Sequence, residues 1–312
     1  MPLRWSRTLA RLLAPVALAI AAPAAAAEVS GTVAFAQDDL SNDWRRAQVA
    51  AVRRHLAEHP GIEFVVTDAR GEPALQALHI RRLADDGVDV LITSPADARL
   101  LAPVIQRVHA DGTPVILLSR RIPGDAFTSF VHPRDRAITA RLARFVMTRL
   151  DGEGRILMLT GVPTATTTLA RSRTFLAAAD KYPGVSVTTR TGNYLRADAI
   201  RAVEAILRDK GGFPFDAIYA QSDSMAVGAR MALRRAGIDP ATRLIAGIDF
   251  IAQARAAIQA GEQAVSYTYP TGGETGAELV VRLLRGEEVP REVVLESVEV
   301  TADNVDAVPP IF

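Results

Sequence analysis

The chain has no cysteine, so no disulfide staples it and no thiolate can serve as nucleophile or metal ligand. Its five histidines are scattered. His55 and His59 lie four apart on an expected helix, but no acid completes a metal motif and the pair reads as a solvated face. There is no Gly-x-Ser-x-Gly elbow, no phosphate loop ending in Gly-Lys-Ser/Thr and no dinucleotide glycine fingerprint. The Asp38-Asp39 and Asp85-Asp86 pairs lack calcium-loop spacing. Nothing sets a nucleophile beside a base. Aromatics make up only 5% of the chain, so its core must be built from Ala, Val, Leu and Ile, which suits helices packed closely on a parallel sheet. No cofactor is called for.

Charge of one sign is also missing. The net of +1 rests on Arg4, Arg7 and Arg11, and without residues 1–27 the remainder carries 33 basic against 35 acidic residues, or −2. That balance gives no reason to expect a nucleic-acid or anionic-membrane surface. Residues 1–27 themselves read as an export signal: a basic head, the apolar run LLAPVALAIAA, and small residues at a cleavage site. We place the cut after Ala27, with Ala25 and Ala27 in the small pockets. The alternative is an uncleaved anchor, for which the run is short and Ala-rich. No later stretch is long enough to cross a bilayer, so the expected product is an exported protein of the periplasm.

What is present is alternation. TVAFA is an apolar run with no helical period, and RRAQVAAVRR places Val49, Val52 and Leu56 on one helical face. The polar loop between them holds Gln37, Asn42 and Trp44. The runs IEFVVTDA, VDVLITS and PVILLS follow, separated by helical segments around Leu78 and Leu101. FTSFVHPR breaks the pattern and reads as a crossing between domains. The alternation then restarts with RILMLTG, VSVTTRTG, DAIYAQS, RLIAGID and AVSYTYP, each followed by a helix, and VVLESVEV closes as one strand. With 312 residues, length also prefers two domains. The spacing predicts an α/β fold of two arrays with parallel sheets and a cleft between them, with ligands at the carboxyl ends of strands.

At the level of residues, DGVDVLITSPAD, DGTPVILLSRRIPG, ARSRTF before KYPGV, FDAIYAQSDSMAVGA, LIAGID and the closing TADNVD resemble a known family. It is that of the periplasmic sugar-binding proteins of ABC importers, of the ribose/galactofuranose type (type I periplasmic binding proteins). The resemblance spans nearly the whole chain after residue 27, and the loop ending in DWR looks most like the galactofuranose branch. It implies two Rossmann-like lobes joined by a three-strand hinge with crossings near Val131, Thr268 and Ser297. One lobe would hold 28–131 plus 269–296, and the other 132–268 plus 297–312. It implies a non-enzymatic, monomeric receptor that closes on a sugar or sugar-acid ligand and docks on an ABC permease in the inner membrane. A sensory receptor for a membrane histidine kinase has the same fold and stays open as an alternative. An exported hydrolase is the rival from another class.

The resemblance also assigns positions. Arg120 and Arg171 match arginines that bind hydroxyls, against the alternative of solvated charges beside Arg121 and Arg173. Asp249 matches a binding acid, and an acid directly after an apolar strand is costly unless it is used. Tyr194 matches a stacking aromatic, with Trp44 a second candidate and core packing the alternative for both. Gln37, Asn42, Arg45 and Tyr269 are weaker candidates, because loop polar residues are often caps or turn formers. Two positions depart from the family: Ser119 stands where Asp is usual, and Ser222 where Asn is usual. Two arginines with fewer acids lead us to expect a solute carrying some negative charge. The cluster Thr164, Thr166, Thr167 and Thr168 opens a helix, where anions are favoured, though ordinary capping is the stronger expectation there.

Overall fold

The computed structural model describes residues 29–210 and 212–312; the export signal expected at 1–27 lies outside them. Beginning at the first strand, β1 (Gly31–Gln37) leads through α1 (Asp43–Leu56) to β2 (Ile62–Asp68), α2 (Pro73–Asp85), β3 (Val90–Thr93), α3 (Ala98–Ala110) and β4 (Val115–Leu118). β5 (Ser129–Pro133) follows, then α4 (Asp135–Arg149), β6 (Glu153–Thr160), α5 (Thr166–Ala179), β7 (Gly184–Thr191), α6 (Arg196–Lys210) and β8 (Ala217–Ala220). The chain ends with α7 (Asp223–Arg235), β9 (Leu244–Ala246), α8 (Ala252–Gln259), β10 (Ser266–Tyr267), α9 (Gly273–Leu284), β11 (Glu292–Leu295) and β12 (Glu299–Val300).

These strands form two main sheets. The first is six-stranded and parallel, in the order β11-β5-β4-β3-β1-β2, and the second is four-stranded and parallel, β7-β6-β8-β9. Each is covered on both faces. Along β1, Val33 and Phe35 pack with residues of α1 and α9, while Ala34 and Ala36 pack with α2 and α3, as the two-residue period of a strand requires. In β6, Ile156 and Met158 face one core and Leu157 and Leu159 the other. The fold is therefore two Rossmann-like lobes. In each, the strand order reverses beside a central strand, β1 in one and β6 in the other, which opens a crevice at the carboxyl ends.

Two local expectations are corrected. FTSFVHPR is not a break: Ser129–Pro133 is a strand inside the first sheet, pairing with both β4 and β11. It lacks a clean apolar period because it ends in His132 and Pro133, just before the chain leaves for α4. VVLESVEV is not one strand. Its first half, β11, pairs with β5, and its second half, β12, pairs antiparallel with β10. The residues between them pass from one lobe to the other, so one continuous ladder is geometrically impossible. Among the described residues, no helix is long and apolar enough to cross a membrane.

Candidate functional site

The carboxyl ends of β1 and β4 face those of β6, β8 and β9 across a cavity of about 290 Å³. β1 hands over to Asp38, which is 3% exposed. Its Oδ1 lies 3.1 Å from Arg45 Nε and its Oδ2 2.6 Å from the Arg120 guanidinium. Burial works against this charge, but Arg120 and Arg45 outweigh it and hold the Asp38 carboxyl below its ordinary range. Arg45 is pushed down to about 10 by burial and by the like charge of Arg120, with Asp38 pulling the other way, so it stays charged at neutral pH. Its Nη1 lies within hydrogen-bond distance of Gln48 Oε1 at 3.1 Å, Ser94 Oγ at 2.8 Å and Ser119 Oγ at 3.1 Å. Arg120 stacks over the Tyr194 ring at 5.6 Å, and its buried Nε has no protein partner.

The opposite wall is built on Arg171, 3% exposed, from α5. Its Nε donates to Asp135 Oδ1 at 2.7 Å, a second nitrogen donates to the carbonyl of Gln221, and the guanidinium lies 4.5 Å from the Tyr269 ring centre. Burial opposes the Arg171 charge, yet Asp135 outweighs it and holds the guanidinium well above its ordinary range. Trp44 meets Tyr269 at 5.7 Å between ring centres and donates its indole N–H to the Tyr269 carbonyl at 3.1 Å. Tyr194 lies flat on Gly161, where a Cβ would sit 1.9 Å from the ring. Gly161→Ala should therefore expel the ring, and a titration with a bound solute would read a large loss of affinity while the fold, checked by circular dichroism, persists.

Strain concentrates here. Among the described residues, seven non-glycines have positive φ, and five of them, Arg70, Ser119, Asn193, Tyr194 and Asp249, line this cavity. Such backbone costs energy and persists where surrounding structure enforces it, which marks a functional site.

Of the residues singled out from sequence, Asn42, Trp44, Arg45, Ser119, Arg120, Arg171, Tyr194, Ser222, Asp249 and Tyr269 all line the cavity. Gln37 does not. Its side chain is fully buried behind the wall, accepting from the Asp38 amide at 3.0 Å and donating to Gln48 at 3.2 Å. Sequence reading missed Asp38, Asp39, Arg70 and Asn193 as lining residues and Asp135 behind them, and it met Thr167 only as part of the cluster that opens a helix. Asp38 carried the signal that marked Asp249, an acid directly after an apolar strand.

The threonine cluster is not a set of caps. The α5 N-cap is Ala165, with no side-chain bond. Thr167 and Thr168 hold the Tyr194 hydroxyl at 3.1 and 2.8 Å. Thr164 donates to the Ala96 carbonyl at 2.9 Å, and Thr166 accepts from the Arg121 amide at 3.3 Å, both across the cleft. On the other side of the cavity Asn42 donates to the Tyr194 carbonyl at 2.8 Å, and Asp43 accepts from Ser224 at 2.6 Å and Arg196 at 3.1 Å. The lobes are thus closed on each other.

A sequence profile of the periplasmic binding protein domain matches residues 33–288. The chain belongs to that family. Its members are solute receptors, not enzymes. A xylitol-binding protein of Mycolicibacterium smegmatis is 28% identical over 253 residues, covering 80% of this chain and 72% of its own. A galactofuranose-binding protein of Escherichia coli is 25% identical over 265 residues, covering 83% and 82%. The structure of a Caulobacter myo-inositol-binding protein with myo-inositol bound superposes with a TM-score of 0.83 at 26% identity, covering 91% of this chain and 97% of that one. For a periplasmic binding protein, a cavity walled by both lobes is where a solute would be enclosed. Among the described residues, no cluster of acids and histidines could hold a metal ion.

Proposed function

We propose that this protein captures a small, neutral, polyhydroxylated solute, of monosaccharide or cyclitol size, in the interlobe cavity and delivers it to an ABC permease. The observation that carries the reading is the cavity wall itself: three buried guanidiniums, Arg45, Arg120 and Arg171, with Trp44, Tyr194 and Tyr269 between them. Planar guanidiniums address paired hydroxyls, and aromatic faces cover the C–H side of a sugar or polyol.

The expectation of an anionic solute loses its basis. The acid lacking at Ser119 is supplied by Asp38, which bridges Arg45 and Arg120, and Asp135 balances Arg171. Asp249 also faces the cavity, where burial pushes its carboxyl well above the ordinary range. The relatives named for xylitol and galactofuranose, and the neighbour holding myo-inositol, support a neutral ligand.

We assign 28–131 plus 269–296 to one lobe and 132–268 plus 297–312 to the other; the sheet memberships support this division except that β5 carries the first sheet on to Pro133. The binding residues are the ten cavity-lining ones singled out from sequence, with Asp38 in place of Gln37. The protein is exported to the periplasm after cleavage behind Ala27 and acts as a monomer. Uptake of the solute in cells lacking this protein would fall if it serves a permease; loss of a transcriptional response with intact uptake would point to a kinase instead.

The test of the ligand class is a thermal-shift panel of xylitol, myo-inositol, ribose and galactose against their carboxylate counterparts. Binding at about 100 times Kd adds about 2.7 kcal/mol to the folded state, a rise of several degrees for a chain of this size. A shift with neutral members alone supports the reading, and a shift only with acids overturns it.

A further inference from the structure

Beneath the cavity floor lies a fully buried carboxylate that touches no part of the cavity, Asp223, the first residue of α7. Of its neighbours in sequence, Ser222 lines the cavity and Ser224 donates to Asp43 across the cleft. Asp223 itself turns the other way. Its amide donates to the Ile248 carbonyl at 2.7 Å, and its Oδ2 accepts from the Phe250 amide at 2.7 Å and from Ser266 Oγ at 2.5 Å. The turn it grips is strained, with Asp249 at φ 121° and Phe250 at φ 54°. Gly247 passes so close that a Cβ there would lie 1.9 Å from Asp223 Oδ1. This turn puts the Asp249 carboxyl in the cavity wall.

Asp223 is also polarised from below. Arg230, on the same helix, donates to Gln263 Oε1, and Gln263 Nε2 donates to Asp223 Oδ1 at 2.7 Å. The amide thus has its acceptor end on a cation and its donor end on an anion, so it has one stable orientation. Glu262 and Arg234 face Arg230 on its outer side, and Arg196 adds a further cation. Asp249 faces the pair from above, with Arg171, Asp43 and Arg45 acting on it in turn. Nothing in solute contact explains why a carboxylate should be kept in this place.

We propose that Asp223 is a positioning residue for solute binding: it holds the Gly247–Phe250 turn in its strained conformation so that Asp249 presents its carboxyl to the solute. The proposal rests on the reading of the cavity as a solute site. An asparagine at 223 keeps the shape but breaks the bonding pattern, because its NH₂ must oppose either the Gln263 donor or the donors Phe250 N–H and Ser266 O–H. Burial pushes the Asp223 carboxyl up to about 6, with the bonds from Ser266, Gln263 and Phe250 pulling it down. Relative to an unfolded aspartate near 3.8, the folded state therefore holds this proton longer. Stability from this group is full below pH 3.8 and is lost as pH rises through about 6.

The experiment compares Asp223→Asn with the parent protein in two arms. Without solute, amide exchange at Phe250 should quicken about tenfold, and the fall of melting temperature between pH 4 and pH 6 should be smaller in the variant. With myo-inositol and xylitol, the fluorescence of Trp44, the one indole that remains after cleavage behind Ala27, is titrated. Affinity should fall about tenfold in the variant, and the change of Kd expected in the parent as Asp223 titrates should shrink. Unchanged Phe250 exchange, or an affinity and pH profile identical to the parent, overturns the proposal. If neither polyol binds the parent, the reading of the ligand fails, and the exchange arm still decides whether Asp223 holds the turn. Should Asp223→Asn not fold, Ser266→Ala removes one of the bonds to the same oxygen and should move both arms in the same direction by a smaller factor.

Discussion

Arg171→Met is expected to abolish solute binding and to lower the melting temperature on the order of 10 °C. The two effects have separate origins. Arg171 is the only cation within ion-pair distance of Asp135 among the described residues, at 2.7 Å, and both side chains are buried or nearly so. Removing one partner of such a pair leaves an unpaired charge in a dry site, at a cost of about 3–5 kcal/mol, which for a chain of this size is a fall of roughly 10 °C. The donors that face the cavity go with it. Arg120→Met removes equivalent donors, but Asp38 keeps Arg45 at 3.1 Å, so its melting temperature should fall by much less for a comparable loss of binding. The double variant Arg171→Met/Asp135→Asn separates the terms: stability should largely return, binding should not. Thermal denaturation and calorimetric titration on the three variants check this. Equal destabilisation by the two arginine substitutions would contradict the assignment of partners.

How these arginines are used was only partly legible in the sequence. Alternation of apolar strands and amphipathic helices located nearly every element, because that period is local. The closeness of Arg120 and Asp249 to the ends of strands was legible for the same reason. Arg120 follows β4, Asp249 follows β9, and the family resemblance gave both a role. The pairing of charges was not legible. Asp38 and Arg120 are 82 residues apart, and Arg171 and Asp135 are 36 apart; nothing in a local window joins them. The loss of an acid at Ser119 therefore looked like a gain of positive charge, when the acid stood just past the end of β1, two strands away in the same sheet. Gln37 failed for a subtler reason. In a strand successive side chains alternate, and the residue one step further along, Asp38, is the one that lines the cavity. The threonines before and within α5 looked like caps because their types suit caps. Their bonds to Ala96 and to the Arg121 amide exist only when two lobes meet, which a pattern within one segment cannot express.

The contacts across the cleft lead to the second large effect. Asp43→Ala should weaken solute affinity about 10- to 100-fold while leaving the melting temperature of the solute-free protein almost unchanged. Asp43 reaches two partners in the opposite lobe, Ser224 Oγ at 2.6 Å and Arg196 at 3.1 Å. The Arg196 side chain is 38% exposed, and an ion pair that open to water is screened and contributes little. The bond from Ser224 to a carboxylate is more enclosed, and a hydrogen bond to a charged group contributes about 1.5–3 kcal/mol. In an open arrangement both groups are hydrated and the bond is simply absent. Its loss therefore acts on the balance between open and closed forms and not on folding. A solute that binds the closed form sees its apparent Kd rise by the factor by which that form is depleted. Small-angle scattering should show a larger radius of gyration for the variant at a fixed, subsaturating solute concentration, with the parent dimensions restored at saturation. Asp43→Asn keeps an acceptor for Ser224 and should recover most of the affinity. A fall in affinity matched by an equal fall in solute-free stability would instead place Asp43 in the fold of α1, where it opens the first turn, and remove the clasp from the mechanism.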